Sequence, residues 1–127
     1  MDYPMLVQLE SRPILIVGAG KVAVRKAKEL IRCGGHLTVV SPSGEAAFYE
    51  WERSGQLRWI RRDFLLTDLE GQEFVFVVTN SSKANQLIVS EALKCNLWVN
   101  SRDQKYPGNF TLPSSHRQGD ILITVST

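Results

Sequence analysis

Between Pro13 and Asn100 the chain alternates short apolar runs with stretches whose apolar residues recur at helical spacing. Pro13 to Val17, His36 to Val40, Leu57 to Arg61, Phe74 to Val78 and Leu97 to Asn100 are short, β-branched or aromatic runs bounded by turn residues, and they read as strands. Phe74 to Val78 is apolar throughout, which predicts a strand covered on both faces. Gly20 to Cys33 reads as a helix. It sets Ala23, Ala27, Leu30 and Ile31 at i, i+4, i+7 and i+8 on one face, and Gly34-Gly35 stops it. Ser41-Pro42 ends the second strand. Ser43 suits the N-cap of a helix carrying Ala47, Phe48 and Trp51, and Gly55 closes that helix. Ser81 or Ser82 caps a further helix with Ala84, Leu87, Ile88, Ala92 and Cys95 along one side.

The order β-α-β-α-β-β-α-β predicts an α/β fold: a Rossmann-like, doubly wound parallel sheet with right-handed crossovers, in one domain spanning residues 1–127. After Asn100 the pattern changes. Asp103 to Gly108 reads as a polar loop. Asn109 to Pro113 and Asp120 to Ser126 read as extended pieces joined by Ser114 to Gly119, a C-terminal extended hairpin. The run Ile121 to Thr127 is strand-like to its last residue, which predicts that a C-terminal part belongs after it.

Composition narrows the class without changing this outline. The 127 residues are 43% hydrophobic and 22% charged, as in a globular domain. No apolar run reaches the ~18 residues that a membrane span needs, and Met1-Asp2-Tyr3-Pro4 lacks the basic start of a signal peptide. No membrane association and a cytoplasmic location are the expectation. A net charge of +2 is too small to point to nucleic acid and suits a small anionic ligand. Cys33 and Cys95 fall late in predicted helices with no Cys-x-x-Cys spacing, and they read as buried reduced thiols rather than a disulfide or metal ligands.

The chemistry starts at Val17-Gly18-Ala19-Gly20-Lys21-Val22-Ala23. A Gly-x-Gly-x-x-Ala turn stands between a strand and a helix, the context in which those glycines carry meaning. Gly18 allows the tight turn, Gly20 lets the backbone approach a pyrophosphate, and Ala23 lets the helix pack on the sheet. The new helix offers its free N–H groups to a diphosphate.

Ligands of open α/β sheets sit beyond the carboxyl ends of the strands. The candidate cofactor residues are therefore Gly18, Ala19, Gly20, Lys21 and Val22, with Ser41, Pro42, Thr79, Asn80 and Asn100 at the other strand exits. The second exit carries no carboxylate for a ribose, so the choice between NAD and NADP stays open on residue chemistry. Asp103 is the candidate catalytic carboxylate, a general base at the cleft rim or a turn aspartate bonded to its own backbone. His36 and His116 lack metal-ligand spacing and read as structural or solvated. Arg58-Trp59-Ile60-Arg61-Arg62 reads as a solvated strand, since period-two alternation sends its side chains to opposite faces.

Taken with Tyr3-Pro4, Arg25-Lys26, Thr38 to Pro42, Val78-Thr79-Asn80 with Asn85, Asn100 to Asp103, Asn109 to Ser114 and Gly119 to Thr127, these motifs resemble the N-terminal domain of the siroheme synthases. They equally resemble the stand-alone precorrin-2 dehydrogenases, some of which are also sirohydrochlorin ferrochelatases. The resemblance covers nearly the whole chain, and its tail motifs are the more specific part. It implies an NAD-dependent oxidoreductase that dehydrogenates the tetrapyrrole precorrin-2 to sirohydrochlorin, with ferrous iron as a further substrate in bifunctional members. Asp103 matches the family's key aspartate, implied to take protons in dehydrogenation, chelation or both. Arg102, Lys105, His116 and Arg117 lie in loops expected to flank it and suit the substrate's carboxylates. Family members continue past the Ser-Thr ending into dimerisation and helical domains, absent here, so a homodimer is implied for the full-length protein. The identity of the inserted metal stays open. A non-catalytic nucleotide-sensing Rossmann module shares the glycine turn, as does a chelatase with a vestigial nucleotide site.

Overall fold

The computed structural model describes residues 1–127. Five parallel strands form one sheet in the order β3-β2-β1-β4-β5: β1 Pro13–Val17, β2 His36–Val40, β3 Leu57–Ile60, β4 Phe74–Val77 and β5 Trp98–Ser101. Helices α1 (Lys21–Arg32), α2 (Ala46–Arg53) and α3 (Ser82–Lys94) make the crossovers, with a single 3₁₀ turn at Leu66–Leu69 before β4. This is the predicted doubly wound architecture, with strand limits within one residue of the expected ones. The strand order reverses between β1 and β4, which opens a crevice at their carboxyl ends.

Alternation along the strands divides the core in two. Ile14 and Ile16 of β1, with Phe74 and Phe76 of β4, pack under Ala23, Ala27 and Leu30 of α1 and Phe48 of α2. Leu15 and Val17, with Val75 and Val77, pack under Ile88, Val89 and Ala92 of α3. Burial on both faces is why the β1 and β4 sequences are apolar at every position rather than at alternate ones.

Four expectations are corrected. Ser43 does not cap α2: the N-cap is Glu45, without a side-chain hydrogen bond, and Ser43 stays in the preceding loop. The inner face of α3 is Asn85, Ile88, Val89 and Ala92, while Leu87 and Cys95 are exposed. The reason is local. Ser81 caps the helix by accepting from Ala84 N, and Asn85 turns inward to bond Thr79, which fixes the helix phase. The cysteines are free but not buried, because each is the C-cap residue at which its helix leaves the sheet: Cys33 is half-buried and Cys95 exposed.

In the tail, Ser114 to Gly119 is not a connecting loop. Ser114–Gln118 (β6) pairs antiparallel with Ile121–Val125 (β7), and His116 lies opposite Ile123. Gly119, at φ +58°, opens the two-residue turn between them. Before this hairpin the chain doubles back along β5. The Asn109 side chain accepts from Val99 N at 2.8 Å and donates to Leu97 O at 2.9 Å. Phe110 then meets the rings of Phe76, Trp98 and Phe74 edge-on at centroid distances of 5.8, 6.2 and 6.4 Å. It is partly buried against the same core face that α1 and α2 cover.

Candidate functional site

The glycine turn starts at the end of β1. Gly18 N donates to Val40 O at 3.0 Å, and the residue takes φ +112°. A Cβ there would lie 2.7 Å from the carbonyl oxygen of Val78, so the exit of β4 and the left-handed backbone together demand glycine. Ala19 is buried, and its carbonyl accepts from Glu45 N at 2.9 Å, which fastens the turn to the start of α2. Ala23 is fully buried against the sheet, as the third small position of the motif requires.

Gly20 differs from Gly18. Its φ of −86° is open to any residue, and a Cβ on it would meet no protein atom within 4 Å. The fold makes no steric demand for glycine at this position. Gly20 is also the N-cap of α1, no side chain caps it, and the first turn holds no acidic residue. The free N–H groups of the first turn therefore lie beside open space, in a stretch, Gly20 to Val22, that lines a cleft. A diphosphate laid along the turn matches that space, that donor set and the dipole, so the residues fit a dinucleotide.

A cleft of about 900 Å³ lies over this turn. Gly18 to Val22 line its floor, Ser41 and Pro42 line it after β2, and Thr79 and Asn80 line it after β4. Ser41 Oγ donates to Ser43 O at 2.7 Å, and Trp59 Nε1 donates to Ser41 O at 3.1 Å, so the β2 exit is held from both sides. Beyond β4 the hydroxyl of Thr79 reaches the Asn85 side chain, and Asn85 Nδ2 donates back to Thr79 O at 3.2 Å.

Arg102 lines the cleft where β5 ends and donates to Asn80 Oδ1 at 3.3 Å. Asp103 follows it. Its Oδ2 accepts from Ser82 Oγ at 2.8 Å and its Oδ1 from Lys105 N at 3.0 Å. The Ser82 hydroxyl first, then the Lys105 N–H, hold this carboxyl below the usual aspartate range. Asp103 is thus both a turn aspartate bonded to its own backbone and an ionised acceptor at the rim.

Against known proteins, residues 5–114 match the model of a family described as "Putative NAD(P)-binding". The chain belongs to this NAD(P)-binding family. Along its whole length it is also homologous to siroheme synthases. It is 37% identical over 128 residues to siroheme synthase 2 of Aeromonas salmonicida, covering 100% of this chain and 26% of that protein. It is 33% identical to the precorrin-2 dehydrogenase of Priestia megaterium, covering 98% of this chain and 61% of that protein. The solved structure of "SirC, precorrin-2 dehydrogenase" superposes with a TM-score of 0.90 at 32% identity, over 99% of this chain and 62% of that one. The chain therefore spans about a quarter of the siroheme synthase and about three fifths of the dehydrogenases.

As a member of the NAD(P)-binding family, the domain takes a nicotinamide dinucleotide. Nine of the ten residues expected to bind it line one cleft. The tenth, Asn100, does not: its Nδ2 donates to Phe110 O at 2.9 Å, and it braces the tail. Of the cations expected beside Asp103, Arg102 and Lys105 are its chain neighbours. Arg117 is elsewhere. Its Nε donates to Glu29 Oε1 at 2.8 Å and its guanidinium lies over Cys33, so the hairpin that carries it and His116 docks on the last turns of α1, away from the cleft. His36 is exposed at the start of β2. Arg61 stacks on Trp59 and Tyr49 at 4.3 and 5.0 Å, so part of the basic run after Leu57 is engaged within the protein.

Sequence reasoning missed the third wall of this NAD(P)-binding cleft, Arg62, Asp63 and Phe64 beyond β3. It also missed Ser82, the donor to Asp103. The signal for the wall was the pairing of β2 with β3, which places their exits together: Val40 lies opposite Ile60.

Proposed function

We propose that this chain is the cofactor-binding domain of an NAD-dependent precorrin-2 dehydrogenase, which converts precorrin-2 to sirohydrochlorin. The observation that carries the reading is the uncapped start of α1 at Gly20, open to a cleft lined at its far side by Arg102, the chain neighbour of Asp103. Homology along the whole chain to a protein named precorrin-2 dehydrogenase, and to siroheme synthases, supports the choice of substrate.

In this reading Gly18 to Val22 hold the diphosphate, and Ser41, Pro42, Thr79 and Asn80 position the rest of the dinucleotide. The bound nicotinamide supplies a hydride acceptor. Loss of hydride from a ring carbon of the tetrapyrrole leaves a proton to be removed, and the Asp103 carboxylate, kept ionised by Ser82 and Lys105, accepts it. Arg102 and Lys105 meet the substrate's carboxylates. Ferrous iron is a second substrate of the same site, with Asp103 taking pyrrole protons as the metal enters. The dehydrogenase acts in the cytoplasm, and the longer protein is a homodimer. No helix of the domain is long and apolar enough to cross a membrane.

The test has two parts. Calorimetric titration of this chain with NAD and NADH should give saturable binding. In a full-length protein carrying this domain, Asp103→Ala should lower turnover of precorrin-2 by about 10²- to 10⁴-fold while NAD affinity is kept. Unchanged turnover would remove Asp103 from the mechanism, and absence of nucleotide binding in both proteins would end the reading.

A further inference from the structure

The β2–β3 side of the cleft has a charge arrangement that follows from strand order. Ser41, Pro42 and Ser43 after β2 face Arg62, Asp63 and Phe64 after β3. The two exits are bonded together, with Ser41 N donating to Ile60 O at 3.1 Å.

Arg62 is the cation of this wall, and both its terminal nitrogens are engaged. Nη1 donates to Asp68 Oδ2 at 2.9 Å and to Asp63 O at 3.0 Å, and Nη2 donates to Asp68 Oδ1 at 2.8 Å. The Asp68 side chain is only 5% exposed, and its Oδ2 also accepts from Leu65 N at 2.8 Å. A fork-to-fork pair of this kind is formally neutral: it offsets the charge of Arg62 and leaves it only Nε–H and one Nη2–H to offer a ligand. Asp63 is exposed, and no cation pairs with its carboxylate. Ser41 gives its hydroxyl proton to Ser43 O, so it meets the cleft with lone pairs alone.

We propose that Asp63, backed by the Arg62–Asp68 pair, is the specificity-determining element that admits a dinucleotide with a free ribose 2′-hydroxyl and rejects its 2′-phosphorylated counterpart. The proposal rests on the cofactor reading above. A ribose hydroxyl is a hydrogen-bond donor, and the wall offers it two acceptors, the Asp63 carboxylate and Ser41 Oγ. A 2′-phosphate carries nearly two negative charges at neutral pH and needs donors and an unpaired cation. It meets a free carboxylate and an arginine already bound to Asp68. In this fold the ribose carboxylate usually stands at the second strand's exit; here that exit has only serines and proline, and the neighbouring strand supplies the acid.

The test is calorimetric titration of the chain with NAD and with NADP, in the wild type, Asp63→Asn and Asp68→Asn, with far-UV circular dichroism to confirm folding. The wild type should bind NAD at least about tenfold more tightly than NADP, the scale of one like-charge contact. Asp63→Asn should shrink that ratio by about tenfold, mainly by strengthening NADP. Asp68→Asn, which releases Arg62, should strengthen NADP again. If Asp68→Asn does not fold, Asp63→Asn decides alone, since Asp63 is exposed and bears no structural bond through its side chain. A ratio in Asp63→Asn within about twofold of the wild type overturns the proposal. Equal wild-type affinity for both nucleotides overturns it too but leaves the dinucleotide reading standing, whereas binding of neither ends both.

Discussion

Ser82 Oγ donates to Asp103 Oδ2 at 2.8 Å and so fastens the first turn of α3 to the loop beyond β5. The bond joins the helix that covers one face of the sheet to the carboxylate proposed to take the proton. In that proposal Ser82 is a positioning residue, acting through Asp103 and through its charge.

Removing that donor changes when Asp103 is ionised. In Ser82→Ala the carboxyl loses the largest cause of its lowered pKa, so its midpoint should rise toward the ordinary aspartate value. A carbon-13 titration of the Asp103 carboxyl in this chain reads the shift directly. In a full-length protein carrying this domain, the acidic limb of kcat/KM for the proposed reaction should move to higher pH with it. A midpoint unchanged by the substitution would show that Lys105 N–H holds the carboxylate unaided.

Gly18 and Gly20 should separate stability from binding. Gly18→Ala places a Cβ 2.7 Å from Val78 O at φ +112°, and it should lower the unfolding free energy by at least about 2 kcal/mol. Gly20→Ala meets open space and should cost no more than about 1 kcal/mol, the ordinary difference at a helix N-cap. Its NAD affinity should nonetheless fall by about tenfold or more, because the methyl enters the space left for the diphosphate. Urea unfolding and calorimetry on the two variants separate these effects. Equal loss of stability in both would mean that Gly20 is architectural.

Phe110 should contribute to stability although it is only partly buried and lies in an irregular segment. Phe110→Ala removes edge-on contacts with Phe74, Phe76 and Trp98 and should cost about 2 kcal/mol, less than a fully buried phenylalanine because Phe110 is only partly buried. Phe110→Leu should cost about half as much. Neither should change NAD affinity, since Phe110 is not in the cleft lining. Urea unfolding measures the first effect and calorimetry the second.

The pH dependence of stability should carry the signature of Asp68. The Arg62 guanidinium holds this carboxyl below its ordinary range, and the Leu65 N–H adds to it. A depressed folded-state pKa contributes stability that is fully present above the unfolded value of about 3.9 and is lost as pH falls through the folded one. Urea unfolding of the wild type should therefore weaken over that acid range more steeply than that of Asp68→Asn. Parallel slopes would mean that the pair is not formed in solution.

β1 and β4 were legible because burial on both sides leaves apolar runs such as Phe74 to Val77, the other three strands because short β-branched or aromatic runs stand between turn residues, and the glycine turn because it sits between such a run and a helix. The phase of α3 was not. It depends on a buried polar residue, Asn85, that hydropathy counts as exposed. Strand β6 was hidden for a similar reason: Ser114 to Gln118 is exposed at every position and carries no alternation, only a turn at its end. Asp63 was out of reach because its place in the cleft comes from β3 lying next to β2, a property of the sheet and of no local stretch of sequence.

The Asn109 side chain solves a problem of the last strand. A parallel sheet that ends at β5 presents a row of unpaired amides and carbonyls to any extended segment that drifts past. Asn109 meets Val99 N and Leu97 O with one carboxamide, the donor and acceptor that a sixth strand would use. With the backbone bonds from Asn109 N to Val99 O and from Ser101 N to Pro107 O, that side chain acts as a stopper on the border. It lets the domain expose its other surfaces to partners without inviting edge-to-edge growth of the sheet, the first step toward aggregation.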